Sequence, residues 1–267
     1  GVDAVLRAVE RAARGVPVFV WQTGGEFVAP EVAREFPLLV AAANWHALAT
    51  WVGRAVPSST AVLIDVGSTT TDIIPIQSGV PIPTGLTDRE RLQSGELVYS
   101  GVRRTPLCAV AHSVPFRGGY CPMAAELFAT TLDVYLLLGL IAEDQGNCDT
   151  ANGRPATAAA AHDRLARALC CDRTEFGADD AETAARFLAD VQRQRIAGAL
   201  TRVLKSLPQP CSHVVVSGSG TFLAEQIVTE QPALKTAEVI RLSACFTQEA
   251  SESACALAIA QLAAERL

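Results

Sequence analysis

The sequence predicts an α/β fold, a mixed sheet with flanking helices, on three observations. Residues 61–66 (AVLIDV) form a nearly continuous apolar run of strand length, the pattern of a strand buried on both faces. Residues 213–217 (HVVVS) repeat that pattern and run into Gly218-Ser219-Gly220 ahead of a helical segment. Several longer stretches carry apolar residues at helical spacing.

Taken in order, residues 2–13 read as a helix and 18–22 as a strand. Gly24-Gly25 makes a turn, and a short strand follows around Phe27. Over 38–52, Leu38, Ala42, Trp45, Ala49 and Val52 share one helical face. Asn44 is polar inside that helix, as a satisfied core amide or as a site residue. Pro57-Ser58-Ser59 breaks the chain before the strand at 61–66. Beyond the loop GSTTTD come a strand at 73–76, a turn at 77–79 and a strand at 80–82. Residues 87–106 are polar and hold four arginines. Helices are expected at 124–142, 156–170 and 182–207, a helix from Thr221, a strand at 238–242 and a closing helix at 249–267.

Composition bounds the function. The chain has 267 residues, 49% hydrophobic and 19% charged, which supplies a core and excludes intrinsic disorder. A net charge of −6 disfavours a nucleic-acid partner. Of the 22 basic side chains only Lys205 and Lys235 are lysines, so an anion here meets a guanidinium, which suits bidentate phosphate or carboxylate contacts. The eight cysteines form no CxxC pair and do not cluster with the four histidines. Reduced, mostly buried thiols in a cytoplasmic protein are expected. The apolar stretch 124–142 approaches membrane-spanning length but carries Glu126 and Asp133. A buried helix fits it better, with no membrane partner, and Asp133 then needs an arginine or a bound cation.

Two motifs carry chemistry. In Asp65-Val66-Gly67-Ser68-Thr69-Thr70-Thr71-Asp72 a buried strand delivers Asp65 to its end and Gly67 permits a tight turn. Ser68, Thr69, Thr70 and Thr71 surround the turn with hydroxyl and N–H donors, an anion cradle. Asp65 and Asp72 would oppose bare phosphate but suit a hydrated Mg²⁺ bridging phosphate oxygens, with Asp65 as the metal ligand. The bland alternative is a Ser/Thr-rich hairpin. Gly218-Ser219-Gly220 lies where α/β folds place ligands, at the carboxyl end of a strand, or is simply a close-packed turn.

Together these motifs resemble the actin/sugar kinase/Hsp70 superfamily, with its actin-like (ribonuclease H-like) ATPase fold, and within it the hydantoinase A/oxoprolinase-like branch. Closer still is the likeness to the tetrahydromethanopterin-linked one-carbon transfer pathway proteins. It is carried by AAANW (41–45), IDVGSTTTDIIPI (64–76), TDRERLQSGELVYSGVRRTP (87–106), FRG (116–118), AELFATTLDVYLLLG (125–139) and CDT (148–150). The resemblance implies a role in methanofuran or methylofuran biosynthesis. The reaction would be a synthase step joining an aminomethylfuran-methanol diphosphate to γ-glutamyltyramine with loss of pyrophosphate. It also implies a remainder of the first actin-like lobe with a linking helix over 1–60. The second lobe would occupy 61–267, with a helical insertion at about 107–175. Relatives begin with a further strand and a DxGG-type loop that this chain does not contain. Part of the N-terminal half is therefore expected to be lacking.

For such a reaction Gly67, Ser68, Thr69, Thr70 and Thr71 would hold phosphate, Asp65 a Mg²⁺, and Arg103 or Arg104 the leaving group. Asp72 or Asp133 would take the phenolic proton. For Arg103-Arg104 the alternative is a solvated surface pair. Asn44, Asp149, Gly218, Ser219 and Gly220 are the further substrate-loop candidates, with Arg154 near them. Two other readings stay open. One is an ATP-dependent hydantoinase/oxoprolinase-type or sugar-kinase-like enzyme, with ATP as its cofactor. The other is a non-catalytic truncated homologue. A homo-oligomer is left open.

Overall fold

The computed structural model describes residues 1–266. A six-stranded mixed sheet organises the molecule. Its strands are β1 (Thr60–Val66), β2 (Thr71–Gln77), β3 (Val80–Pro81), β4 (Leu97–Val98), β5 (His213–Ser217) and β6 (Glu238–Arg241). The order is β6-β5-β1-β2-β3, with β4 also paired to β2. β6, β5 and β1 run parallel, whereas β2 turns back antiparallel on β1. Two small hairpins lie outside it, Val20–Trp21 with Phe27–Val28 and Ser113–Phe116 with Gly119–Pro122.

Alternation along β1 explains why both faces are apolar. Val62, Ile64 and Val66 join Ile73, Val214 and Val216 beneath two helices, α6 (Ala178–Ser206) and α7 (Thr221–Glu230). Ala61 and Leu63 face the other way with Ile74, Ile76 and Val215. There they meet Trp45, Leu48 and Ala258 from α2 (Asn44–Gly53) and α8 (Ala254–Arg266). The remaining long helices are α1 (Val2–Ala13), α3 (Asp88–Ser94), α4 (Thr131–Leu137) and α5 (Ala158–Ala168). Among the described residues no helix is long and apolar enough to cross a membrane.

Four expectations are corrected. The helix expected over 38–52 breaks into Pro37–Val40 and α2 around Ala42, which adopts φ 54. Leu38 is exposed in consequence. The helix expected over 124–142 shortens to α4, where the Asp133 carboxylate accepts the Thr130 N–H and starts the helix. The segment 107–175 holds the hairpin Ser113–Phe116/Gly119–Pro122 as well as helices. All eight cysteines are free, yet only Cys211 is buried, while Cys148, Cys170 and Cys245 are exposed.

Candidate functional site

The register of the central sheet places the acidic motif. Asp65 pairs with Asp72 across β1 and β2, and with Ser217 across β1 and β5. The Ser217 hydroxyl donates to Asp65 Oδ1 at 2.6 Å. Burial, reinforced by the Asp72 carboxylate and opposed by Ser217, pushes Asp65 up to about 7. Asp65 nonetheless keeps partial solvent contact. Burial also raises Asp72, but there the Arg91 guanidinium opposes it.

Arg91 is the residue sequence reasoning passed over. It comes from α3, where Thr87 and Glu90 form a reciprocal capping box that fixes the first turn. Its Nη2 lies 2.6 Å from Asp72 Oδ1, its guanidinium carbon is 3.9 Å from the Trp45 ring centre, and it is 1% exposed. The TDRE signature in 87–90 was the available clue to the capped helix. The 19-residue separation from Asp72 hid the pairing.

The loop between β1 and β2 is only partly the cradle expected. Gly67 N–H donates to Thr70 C=O, and Thr71 is buried with its hydroxyl on Ser100 C=O. Those two positions are therefore structural. Ser68, Thr69 and Thr70 make up the loop tip. Arg103 and Arg104 pack behind it, their N–H groups donating to Ser68 C=O at 3.0 and 2.9 Å. Gly101 is required there, since a Cβ would stand 2.5 Å from the Gly67, Ser68 and Thr69 backbone.

The GSG turn is closely packed against the same loop. Gly218 has φ +90, and a Cβ there would come 2.3 Å from Val66 C=O and 2.8 Å from Asp65 Oδ1. Gly220 N–H donates to Val66 C=O. A Gly218→Ala variant should lose about 3 kcal/mol in urea titration through backbone strain and overlap. A loss below 1 kcal/mol would show that the turn relaxes freely.

Two clefts lie beside these elements, the first at the loop tip and the second at Arg103 and the GSG turn. One, of about 220 Å³, is lined by Asn44, Trp45, Thr69, Thr70, Asp72, Arg91 and Tyr99, with Asp88 at its edge. The other, of about 600 Å³, is lined by Arg103, Ser219, Thr221, Phe222, Asn147 and the carboxylates Glu143, Asp144 and Glu252. Glu143 caps α5 through Ala158 N–H, and Asp144 holds the turn at Gly146 and Asn147. Arg104 is solvent-exposed and pairs with Asp149 at 3.0 Å. Asn44 begins α2 rather than lying inside a helix.

Asp133 is not part of the site. It is 1% exposed, its Oδ1 is held by Arg164 at 2.7 Å and its Oδ2 by Thr130 N–H, so an interior arginine meets its charge. The donor set also does not fit a resident Mg²⁺. Arg91 already occupies Asp72, and among the described residues no three His, Cys, Asp or Glu side chains converge on one point. Two carboxylates, one of them already paired, suit an ion that arrives on a phosphate ligand.

The sequence profile of the hydantoinase/oxoprolinase family matches residues 2–266. The (γ-glutamylamino)ethyl-phenoxymethyl-furanyl methanamine synthase of Methanocaldococcus jannaschii is 33% identical over 267 residues, 100% of this chain and 78% of that protein. The synthase of the same name from Methanococcus vannielii is 40% identical over 119 residues, 45% of this chain and 53% of that protein. Among solved structures, nucleotide-free acetone carboxylase superposes with a TM-score of 0.56 at 14% identity, covering 87% of this chain and 34% of that one. That likeness shows the fold, in keeping with the actin-like class, although this chain spans about a third of that structure's length.

Proposed function

The chain belongs to the hydantoinase/oxoprolinase family, and we propose that within it the protein is a methanofuran-biosynthesis synthase. Its reaction would be the displacement of diphosphate from an aminomethylfuran-methanol diphosphate by the phenol of γ-glutamyltyramine. The observation that carries this reading is the 33% identity to the archaeal synthase along the whole of this chain.

The residues supply a coherent chemistry. The furan stabilises positive charge at its methylene carbon, so the carbon–oxygen bond to diphosphate breaks readily. The protein must then accommodate charge gathering on the leaving group. The loop tip at Ser68, Thr69 and Thr70 and the guanidinium of Arg103 would meet that charge, which a magnesium ion carried by the diphosphate itself would share. Tyr99 would lie against the furan, and Asp88 would face its aminomethyl cation. The phenolic oxygen approaches from the larger cleft and forms the new carbon–oxygen bond. Its proton passes to Asp65, whose raised affinity for protons suits a base working near neutral pH.

The experiment is pyrophosphate release from the two substrates with magnesium and no nucleotide. Turnover under those conditions is expected, and a strict need for ATP would favour the kinase-like class instead. Arg103→Ala should lower kcat/KM about 100-fold, the scale of one lost transition-state donor. Arg104→Ala, which removes an exposed pair, should change it less than threefold. Equal losses at the two positions would contradict this assignment of the leaving-group contact.

A further inference from the structure

A third cleft, of about 560 Å³, lies beyond the loop 147–155 and has no part in the chemistry above. Its volume falls within the range of small-molecule sites. Leu127 and Phe128 give it an apolar wall, and Asn152, Arg154, Asp163 and Arg167 give it a polar one. Arg167 lies over the Phe128 ring at 5.1 Å and makes no ion pair among the described residues. Arg154 approaches Asp163 only to 3.8 Å, while Asp163 has its closer partner in Arg173. The cleft thus presents two guanidinium groups with unused donors beside one carboxylate, next to a hydrocarbon surface. Arginine forks of this kind bind carboxylates bidentately.

The cleft is structurally joined to the reaction site. Asn147 lines the larger reaction cleft and Asn152 lines this one, on a single loop that Asp149 ties to Arg104. Beneath that loop, Arg164 donates to Asn152 Oδ1 and to Pro155 C=O while held by Asp133. Leu132, the neighbour of Asp133 in α4, donates its N–H to the Arg103 C=O.

We infer that this cleft binds the free amino-acid head of the γ-glutamyl substrate. Arg154 and Arg167 would take the α-carboxylate, Asp163 the α-ammonium, and Leu127 and Phe128 the methylenes. This rests on the reading of the protein as a γ-glutamyltyramine-using synthase. It adds what that reading leaves open, namely which residues distinguish γ-glutamyltyramine from tyramine.

Calorimetric binding tests it without turnover. Wild type should bind γ-glutamyltyramine at least tenfold more tightly than tyramine. Arg167→Gln and Arg154→Gln, both at exposed positions and checked for unchanged thermal unfolding, should each remove most of that preference. Magnesium pyrophosphate affinity should stay within twofold. An intact preference in both variants would overturn the proposal, and so would a loss of pyrophosphate binding equal to the loss of γ-glutamyltyramine binding. If the preference follows the arginines while nucleotide-free turnover is absent, the cleft stands and the reaction assignment fails. Turnover in wild type, with no preference for γ-glutamyltyramine over tyramine, sinks the cleft alone.

Discussion

An Asp65→Asn variant is expected to be more stable than wild type above pH 7 and nearly inactive. The activity loss follows from the proposed role of Asp65 as acceptor of the phenolic proton, whose removal has an effect of about 10²- to 10⁴-fold. The stability gain follows from linkage. Asp65 holds its proton up to about pH 7 in the folded chain, against an ordinary value of 3.8. Below 3.8 both folded and unfolded forms are protonated, so the group contributes no difference. Between 3.8 and about 7 the unfolded chain releases the proton while the folded one keeps it. Stability therefore falls as pH rises through that window and levels off above it. The accumulated penalty is on the order of 2–4 kcal/mol, allowing for the partial exposure of the carboxylate. Asparagine removes that penalty and can still accept from the Ser217 hydroxyl. Urea unfolding at pH 5 and pH 8 checks it: the gain should be several-fold larger at pH 8. A variant less stable than wild type at pH 8 would show that the charge on Asp65 is compensated. Wild-type kcat/KM should in turn rise with pH through an apparent value near 7.

The second large effect concerns Asp133→Asn. Asp133 and Arg164 are each 1% exposed and meet at 2.7 Å, so removing one charge strands the other in the interior. The expected loss is about 3–5 kcal/mol, measured by chemical denaturation. A paired variant, Asp133→Leu with Arg164→Met, should recover most of that loss, because a buried pair replaced by apolar groups is often neutral. About 1 kcal/mol should remain lost, since Asp133 also caps α4 through Thr130 N–H. Additive losses in the paired variant would show that the two side chains are not coupled.

Much of the frame was legible in the sequence, because it depends on local pattern. The two-faced apolar strand, the polar turn after it and the GSG turn all declare themselves over a few residues, and the structure brings all three to one end of the sheet. What the sequence hid depends on distant partners. Asp133 visibly needed a counter-charge, but only the packing of α5 on α4 reveals that Arg164 supplies it in the interior, away from the site. Thr71 reads like its neighbours Thr69 and Thr70 until its pairing with β4 turns it inward towards Ser100. Asp65 and Asp72 look equivalent in sequence, and Arg91 separates them by pairing with only one. The Ala41–Ala43 break was hidden because three alanines have good helix propensity, whereas the observed Ala42 is left-handed.

The central claim is that a carbon–oxygen bond, not a phosphorus–oxygen bond, breaks at the end of this sheet. Labelling the bridging oxygen of the furan diphosphate with ¹⁸O tests it most directly. With γ-glutamyltyramine and no nucleotide, mass spectrometry should find the label wholly in pyrophosphate and none in the aryl ether. Label retained on a furan alcohol, with phosphate transferred elsewhere, would contradict the account and assign the chain to phosphoryl transfer.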